Sequence, residues 1–250
     1  MELRKFMKAL LEIFCFPKCR NKSHNVDQKM LDFYKGFIKP GNLCFDIGAN
    51  IGERSDIFLK LGAKVICIEP QRDCIKVLRS KYMCNSNVKI MGIGLASQPG
   101  TITLSICKNA NTISTFSEKW KSGRFSSYQW DEQYDVPVVT LDKIVKKYGV
   151  PDFCKIDVEG FEFEVLKGLS SPIRLLSFEF TCEFIHDAQK CIQYLESLGK
   201  VEFNFALGDN LKSAPCLEID NWVSGERLFR EIDAIPVPLL WGDIYARFLR

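Results

Sequence analysis

Two patterns of apolar and polar positions alternate along this chain, one typical of strands and the other typical of helices. Nearly continuous apolar runs, such as 64–69, are typical of buried parallel strands, and stretches with apolar residues three or four apart, such as 53–61, indicate helices. Strands are predicted at 42–47, 64–69, 88–95, 101–106, 136–139, 151–156, 173–180, 201–207 and, as a last edge strand, 241–246. Helices are predicted between them, near 27–38, 53–61, 71–82, 140–148, 161–168 and 185–199. This alternation predicts an α/β fold with a doubly wound, mostly parallel sheet and helices on both faces.

Two segments depart from the alternation. Residues 1–26 combine a short amphipathic helix with a polar linker, which leaves 27–250 as the main domain. Residues 107–135 form a long polar insert that carries six aromatic residues: Phe116, Trp120, Phe125, Tyr128, Trp130 and Tyr134. A long insert in a compact fold is usually functional or disordered. We expect exposed aromatics and a substrate lid, with packing of the insert onto the domain as the alternative.

Composition excludes several classes of protein. The net charge of +3 offers no concentrated basic face for nucleic acid. No stretch approaches the roughly 20 apolar residues of a membrane span. The eleven cysteines include no Cys-x-x-Cys pair, so we expect free thiols in a reducing, cytoplasmic setting. Cys15 and Cys19, with His24 nearby, make an incomplete metal-ligand set.

The stretch from Cys44 to Gly52 carries the main chemical signal. An apolar strand ends in Asp46 and runs into a tight turn with the pattern Asp-x-Gly-x-Asn-x-Gly. Gly48 and Gly52 permit close backbone approach, and Asn50 is among the few other residues that tolerate a left-handed conformation. Asp46 would repel a pyrophosphate but suits a cationic ligand with hydroxyls. The turn therefore favours S-adenosylmethionine over a nicotinamide dinucleotide.

Other cofactor contacts follow from position. Glu69 stands 23 residues after Asp46, at the end of the second strand, where an acid binds ribose hydroxyls. On the first turn of the next helix, Glu53 and Ser55 are candidates for the methionine carboxylate and amine, although Ser55 could equally be a local backbone hydrogen-bond partner. Gly94 and Leu95 are expected to flank the adenine.

Three further acids fall at the carboxyl ends of predicted strands. Asp157 and Glu159 follow the strand at 151–156, and either could be the base that accepts a hydroxyl proton. Asp157 could instead hold a divalent ion, and Glu159 could merely accept backbone bonds near a helix start. Glu179 is a candidate for holding a substrate hydroxyl. His186 is expected to be a surface residue.

Together these motifs resemble a known family. Residues 45–52, then Glu69-Pro70, then Lys155-Ile156-Asp157-Val158-Glu159-Gly160 are similar to those of the FkbM methyltransferases. The resemblance covers roughly residues 27–206. It implies an S-adenosylmethionine-dependent enzyme with the class I Rossmann-like fold, and as substrate a hydroxyl of a sugar, glycan or related natural product.

Two alternatives stay open at this point. A nicotinamide-dependent oxidoreductase could use a similar sheet, although Asp46 and the missing Gly-x-Gly-x-x-Gly count against it. A non-catalytic protein could keep the cofactor site without turnover, although the acids at 157 and 159 count against that. The acceptor, the metal dependence and the oligomeric state are not specified by the sequence.

Overall fold

The computed structural model describes residues 24–122, 125–208, 216–235 and 240–249. Its helices are α1 His24–Tyr34, α2 Glu53–Lys60, α3 Arg72–Lys81, α4 Leu141–Tyr148, α5 Glu162–Leu166, α6 Ile185–Leu198 and α7 Gly225–Asp233. Its strands are β1 Leu43–Ile47, β2 Lys64–Ile68, β3 Val88–Met91, β4 Gly94–Leu95, β5 Gly100–Ile106, β6 Glu132–Val139, β7 Phe153–Ile156, β8 Leu175–Thr181, β9 Val201–Leu207 and β10 Trp241–Phe248. The amphipathic helix predicted near the start, with Cys15 and Cys19, lies outside these residues.

The main sheet has seven strands in the order β3-β2-β1-β7-β8-β10-β9. Its strands are parallel except β10, which runs antiparallel to both β8 and β9. A second, three-stranded sheet has the order β4-β6-β5. The predicted α/β fold with a mostly parallel sheet is therefore confirmed.

Both faces of the main sheet are buried. Neighbouring residues of a strand point to opposite faces, so one strand contributes to the hydrophobic clusters on both sides. In β1, Phe45 and Ile47 pack into one hydrophobic cluster. Cys44 packs into the cluster on the other face. Asp46 shares the face of Cys44, so it lies on the side of the sheet that α2 covers.

Two predicted strands are placed differently in the structure. The apolar run at 88–95 is two strands, because the chain leaves the main sheet after Met91 and Gly94–Leu95 pairs with β6 instead. The strand predicted at the sheet edge, β10, lies between β8 and β9, and Ile244, Tyr245 and Ala246 are fully buried. The period of apolar residues indicates that a segment is a strand. It does not indicate the position of that strand in the sheet, because strand order depends on partners distant in sequence. Helix α7 was not predicted.

The starts of two helices can be compared with the prediction. Thr140 caps α4, and its side chain accepts a hydrogen bond from the backbone N–H of Lys143 at 3.3 Å. Helix α1 begins at His24, three residues before the boundary expected at 27; the division into 1–26 and 27–250 stays a prediction. Within the described part of the chain, no helix has both the length and the apolar character needed to span a bilayer.

Candidate functional site

A cavity of about 420 Å³ opens beyond the carboxyl ends of β1, β2 and β7. Strand β1 is where the strand order reverses, with β2 on one side and β7 on the other, and open α/β sheets bind ligands at such a point. The volume lies within the usual range of ligand pockets, about 300–1,000 Å³. Most of the predicted site residues line it: Asp46, Gly48, Asn50, Glu53, Glu69, Gly94, Leu95, Asp157 and Glu159.

The turn after β1 has a left-handed backbone at three alternate residues. The angle φ is 81° at Gly48, 47° at Asn50 and 81° at Gly52. The N–H groups of Gly48 and Ala49 donate to the carbonyl of Ile68 at 2.9 and 3.2 Å, and that of Gly52 donates to Ala49. These amides are therefore used within the protein and are not among the N–H groups that could cradle a pyrophosphate. This agrees with the preference for a ligand without phosphate.

Gly48→Ala is expected to disrupt the site. A Cβ at Gly48 would lie 1.7 Å from the backbone oxygen of Asp157, at a φ that disfavours alanine. Such a left-handed residue alone costs about 1–3 kcal/mol, and the turn and the loop after β7 must also separate. We expect a lower melting temperature and weaker cofactor binding, measured by thermal unfolding and calorimetry. Gly100→Ala is the control, because a Cβ there meets nothing within 4 Å; equal behaviour of the two variants would contradict this account.

Glu69 is buried at the cavity wall and positioned by two backbone amides. Its Oε2 accepts from the N–H of Asn50 at 2.7 Å, and its Oε1 from that of Gln71 at 2.8 Å. Each carboxylate oxygen keeps a second lone pair, so both can also accept a ribose hydroxyl. Burial raises the pKa of Glu69 to about 7, although the two amides lower it.

This raised pKa predicts a pH-dependent affinity for the cofactor. The carboxyl is neutral below about pH 7 and ionised above it, and only the ionised form offers acceptors on both oxygens. We expect affinity for S-adenosylhomocysteine to fall about tenfold from pH 8 to pH 6, by linkage, when measured calorimetrically. Glu69→Gln should show little pH dependence. Burial also raises the pKa of Glu162 to about 7, so Glu162→Gln is the matched control, and it should retain the dependence.

Two predicted cofactor residues stand behind the cavity wall. Ser55 is fully buried, and its hydroxyl donates to Oδ2 of Asp46 at 2.5 Å. Gly52 precedes α2, and its carbonyl accepts from the Tyr82 hydroxyl at 2.9 Å. Neither residue lines the cavity, so the direct contact expected of Ser55 is corrected to a supporting bond under Asp46. Burial raises the pKa of Asp46, and the Ser55 bond opposes that shift.

Arg54 and Asn111 line the cavity and were missed by sequence reasoning. Arg54 follows Glu53 on the first turn of α2. Its positive charge opposes the burial that raises the pKa of Asp46. Its position between the candidates Glu53 and Ser55 was a signal in the sequence that could have identified it. Asn111, from the insert, donates to Oδ1 of Asn50 at 2.8 Å; nothing local in the sequence pointed to that contact.

A buried lysine organises the acids at the end of β7. Nζ of Lys155 lies 3.0 Å from Asp157 Oδ2 and 3.1 Å from Asp243 Oδ1. Burial opposes its charge, yet the two carboxylates outweigh burial and raise the pKa of Lys155 well above its usual value. Lys155 thus pairs with two acids, and Asp243 on β10 is a partner that sequence reasoning missed.

The loop after β7 is held from two sides. Glu159 has φ of 55°, an uncommon conformation for a residue other than glycine. Its carbonyl accepts from the Thr115 hydroxyl at 2.6 Å. Glu162 Oε1 accepts from the N–H groups of Val158 and Gly160 at 3.0 and 3.3 Å. Strained residues cluster at active sites, and these bonds fix the backbone at Glu159 and on either side of it.

Asp157, Glu159 and Glu179 bring carboxylate oxygens within 4.8 Å of one another. Burial, then the neighbouring charges of Glu159 and Asp157, raises the pKa of Glu179 well above its usual value. Glu179 lies outside the cavity described above, in the wall of a neighbouring one. Oxygen ligands at this spacing suit a hard divalent cation such as Ca²⁺, bound at about 2.3–2.6 Å. The metal alternative for Asp157 therefore stays open.

The insert at 107–135 packs onto the domain, which was the alternative to exposed aromatic residues. Trp120 and Phe125 are buried, in a cluster with Cys107, Ala110 and Ile113. The expectation of exposed aromatics is wrong for this pair, because the insert builds a small core of its own. Other insert residues, Asn111, Thr112, Ser114, Thr115 and Phe116, line the cavity.

Other residues singled out in the sequence have ordinary roles. His186 is exposed near the start of α6 and lies 3.0 Å from Gln189 Oε1, so it is a surface residue. Cys44, Cys67 and Cys154 are free and buried in strands. Burial raises the pKa of the Cys67 thiol to about 12, which suits a small hydrophobe rather than a nucleophile.

Comparison with known sequences gives two matches. The sequence profile described as the Methyltransferase FkbM domain matches residues 46–202 of this chain. A protein named methyltransferase sdnD, from Sordaria araneosa, is 32% identical over 153 residues, which are 50% of this chain and 59% of that protein. The chain thus spans about three fifths of the length of this relative.

Among solved structures, the chain is similar to two methyltransferases. One is the precorrin-6y C5,15-methyltransferase of Geobacter metallireducens, with 14% identity, a TM-score of 0.45, and coverage of 94% of this chain and 95% of that one. The other is an S-adenosylmethionine-dependent O-methyltransferase of Thermotoga maritima, with 13% identity, a TM-score of 0.38, and coverage of 94% and 68%.

Proposed function

The chain belongs to the FkbM methyltransferase family, and we propose that it transfers the methyl group of S-adenosylmethionine to a hydroxyl oxygen of a sugar, a glycan or a related natural product. One observation carries this proposal. A single cavity is lined at one wall by the ribose-type acid Glu69 and at another by the acids Asp157 and Glu159. A cofactor-binding wall and a candidate base thus face the same space.

The cavity residues fit the cofactor. Glu69 can accept both ribose hydroxyls, and the apolar Leu95, Ile93 and Leu104 offer a surface for the adenine. Arg54 is suited to the methionine carboxylate, because a guanidinium binds a carboxylate through two parallel hydrogen bonds. The amine and the sulfonium are cations, and Asp46 and Asp157 supply nearby negative charge.

The chemistry needs alignment and a proton acceptor. S-adenosylmethionine, when bound, supplies a methyl group on a positively charged sulfur. Glu69 and Arg54 would hold this donor, and transfer would join the methyl carbon to the acceptor oxygen while the sulfur kept the electron pair of the broken carbon–sulfur bond. The hydroxyl proton passes to a carboxylate of the protein. Alignment of the reacting atoms and proton transfer are the two contributions that these residues can make.

Glu159 is the better candidate for that carboxylate. Asp157 is held in an ion pair with Lys155 at 3.0 Å, so its carboxylate is already directed at that lysine. The backbone around Glu159 is fixed, because its carbonyl accepts from the Thr115 hydroxyl and the next N–H group, that of Gly160, donates to Glu162. We therefore assign the proton to Glu159 and the fixed negative charge to Asp157.

The alternatives differ in what they bind. Family membership favours the methyltransferase over the nicotinamide oxidoreductase, and the occupied amides of the Gly48 turn do the same. A cofactor-binding protein without turnover remains an outcome of the experiment below. The cytoplasmic location and the absence of nucleic-acid partners stay predictions.

The deciding experiment has two stages. Calorimetric titration with S-adenosylmethionine, S-adenosylhomocysteine and NADH identifies the cofactor, and we expect binding of the first two only. A panel of glycosides and simple alcohols is then incubated with S-adenosylmethionine, while release of S-adenosylhomocysteine and the mass of the acceptor are followed. Binding of NADH alone would overturn the proposal, and cofactor binding without any methylated product would favour the non-catalytic alternative.

A further inference from the structure

A second cavity of about 350 Å³ adjoins the first. It is enclosed by the insert, the loop after β7, the end of β8 and the start of α6. Phe116 lies in the walls of both cavities. Glu179 lines the second cavity, yet one of its oxygens is within 4.8 Å of oxygens of Asp157 and Glu159, which line the first. The acid cluster therefore lies where the two cavities meet.

Three polar atoms in the wall of this second cavity are buried without a hydrogen-bond partner among the described residues. They are Nε1 of Trp120, Oγ1 of Thr181 and Oε2 of Glu179. Trp120 and Thr181 are only 3% and 4% exposed. A buried polar group without a partner is unfavourable, and in a native structure it needs an explanation. Three such atoms around one cavity indicate a ligand that supplies the missing partners.

The charges around the cavity define what that ligand can be. Five residues that line the cavity are acidic and two, Lys119 and Lys190, are basic, and both lysines pair with Asp187 at 3.4 and 2.7 Å. The carboxyl groups at the inner end, Glu179 and Glu162, offer no positive charge to a phosphate or a carboxylate. A cation without lone pairs cannot accept from the indole N–H of Trp120, which is a donor only.

We propose that the second cavity is the acceptor site and takes a neutral, polyhydroxylated ring, with Thr181, Trp120 and Glu179 as its hydrogen-bonding residues. Hydroxyl groups both donate and accept, so one ring matches all three unpartnered atoms. The half-buried rings of Phe116, Phe161 and Phe184 supply the apolar wall typical of a small-molecule site. This inference rests on the proposed function, because it places the acceptor beside the acids that would take its proton.

Thr181→Val separates this role from a structural one. Valine has nearly the shape of threonine, and the hydroxyl it removes has no partner within the described protein. We expect equal or higher thermal stability without acceptor, and about five- to tenfold weaker acceptor binding from the loss of one hydrogen bond. Glu179→Gln is the second variant, and Thr101→Val, at an exposed position of β5, is the control.

Binding is measured by saturation-transfer NMR on protein saturated with S-adenosylhomocysteine. The probes are p-nitrophenyl glucoside and galactoside, with p-nitrophenyl glucuronide as their anionic counterpart. Binding of a neutral glycoside that weakens in Thr181→Val but not in Thr101→Val supports the proposal. A preference for the glucuronide, no glycoside binding, or unchanged binding in Thr181→Val overturns it. Failure of S-adenosylhomocysteine itself to bind, in a separate titration, would instead overturn the proposed function.

Discussion

Glu69→Ala is expected to weaken binding of S-adenosylmethionine and S-adenosylhomocysteine by about a hundredfold or more. Hydrogen bonds to a charged group contribute about 1.5–3 kcal/mol each, and Glu69 is placed to accept two of them from a ribose. Because a factor of ten in affinity corresponds to about 1.4 kcal/mol, losing both predicts at least that effect. The measurement is calorimetric titration of each variant with S-adenosylhomocysteine.

The design must separate a lost ligand contact from a lost fold. Glu69 also accepts from the buried amides of Asn50 and Gln71, so the alanine variant can loosen the turn. Glu69→Gln keeps the shape and an acceptor oxygen, and thermal unfolding of both variants reports the turn. Asp73→Asn is the matched control. Asp73 is exposed, and within the described chain its salt bridge is with Lys76. Affinity within threefold of wild type in a folded Glu69→Ala protein would contradict the assignment.

Glu159→Gln is expected to lower kcat by about 10²–10⁴-fold, the usual contribution of a general base. The change keeps the size of the side chain and the backbone bond from Thr115 to the Glu159 carbonyl. Binding of S-adenosylhomocysteine should therefore change little. Initial rates of S-adenosylhomocysteine release with the best acceptor, beside calorimetry of the cofactor, measure the two effects separately.

Asp157→Asn is the informative comparison. It removes the ion pair with Lys155 and leaves that lysine with Asp243 alone, so both cofactor affinity and rate should suffer. Glu226→Gln is the control, since Glu226 lies on α7, lines neither cavity and has a side chain 85% exposed. Loss of rate in Asp157→Asn with normal rates in Glu159→Gln would transfer the role of base to Asp157. Rates that vanish in EDTA and return with Mg²⁺ would show that the acid cluster works through a metal ion.

Much of the first cavity was predictable because its residues are close in sequence to structural signals. Asp46, Gly48 and Asn50 come directly after an apolar strand, and Glu69 comes directly after the next one. The carboxyl ends of parallel strands meet at one edge of a sheet, so strand ends that are distant in sequence converge there.

Other parts of the site were not predictable, and the reasons are specific. Ser55 was assigned to the cofactor, but the pitch of α2 turns its hydroxyl inward to Asp46. Asp243 lies on a strand that was expected at the sheet edge, and its insertion between β8 and β9 brings it to Lys155. Trp120 and Phe125 were expected to be exposed, because a polar insert shows no periodicity that reveals a small core.

The sequence by itself determined the succession of strands and helices, the left-handed turn and the acids at the strand ends. Each of these depends on interactions within a few residues or on the period of a single element. Only the tertiary structure decided the strand order, the pairing of Lys155 with Asp243, and the second cavity, where Nε1 of Trp120 and Oγ1 of Thr181 have no hydrogen-bond partner among the described residues. These depend on side chains from separate elements meeting in space, and packing between elements, rather than local preference, determines which of them meet.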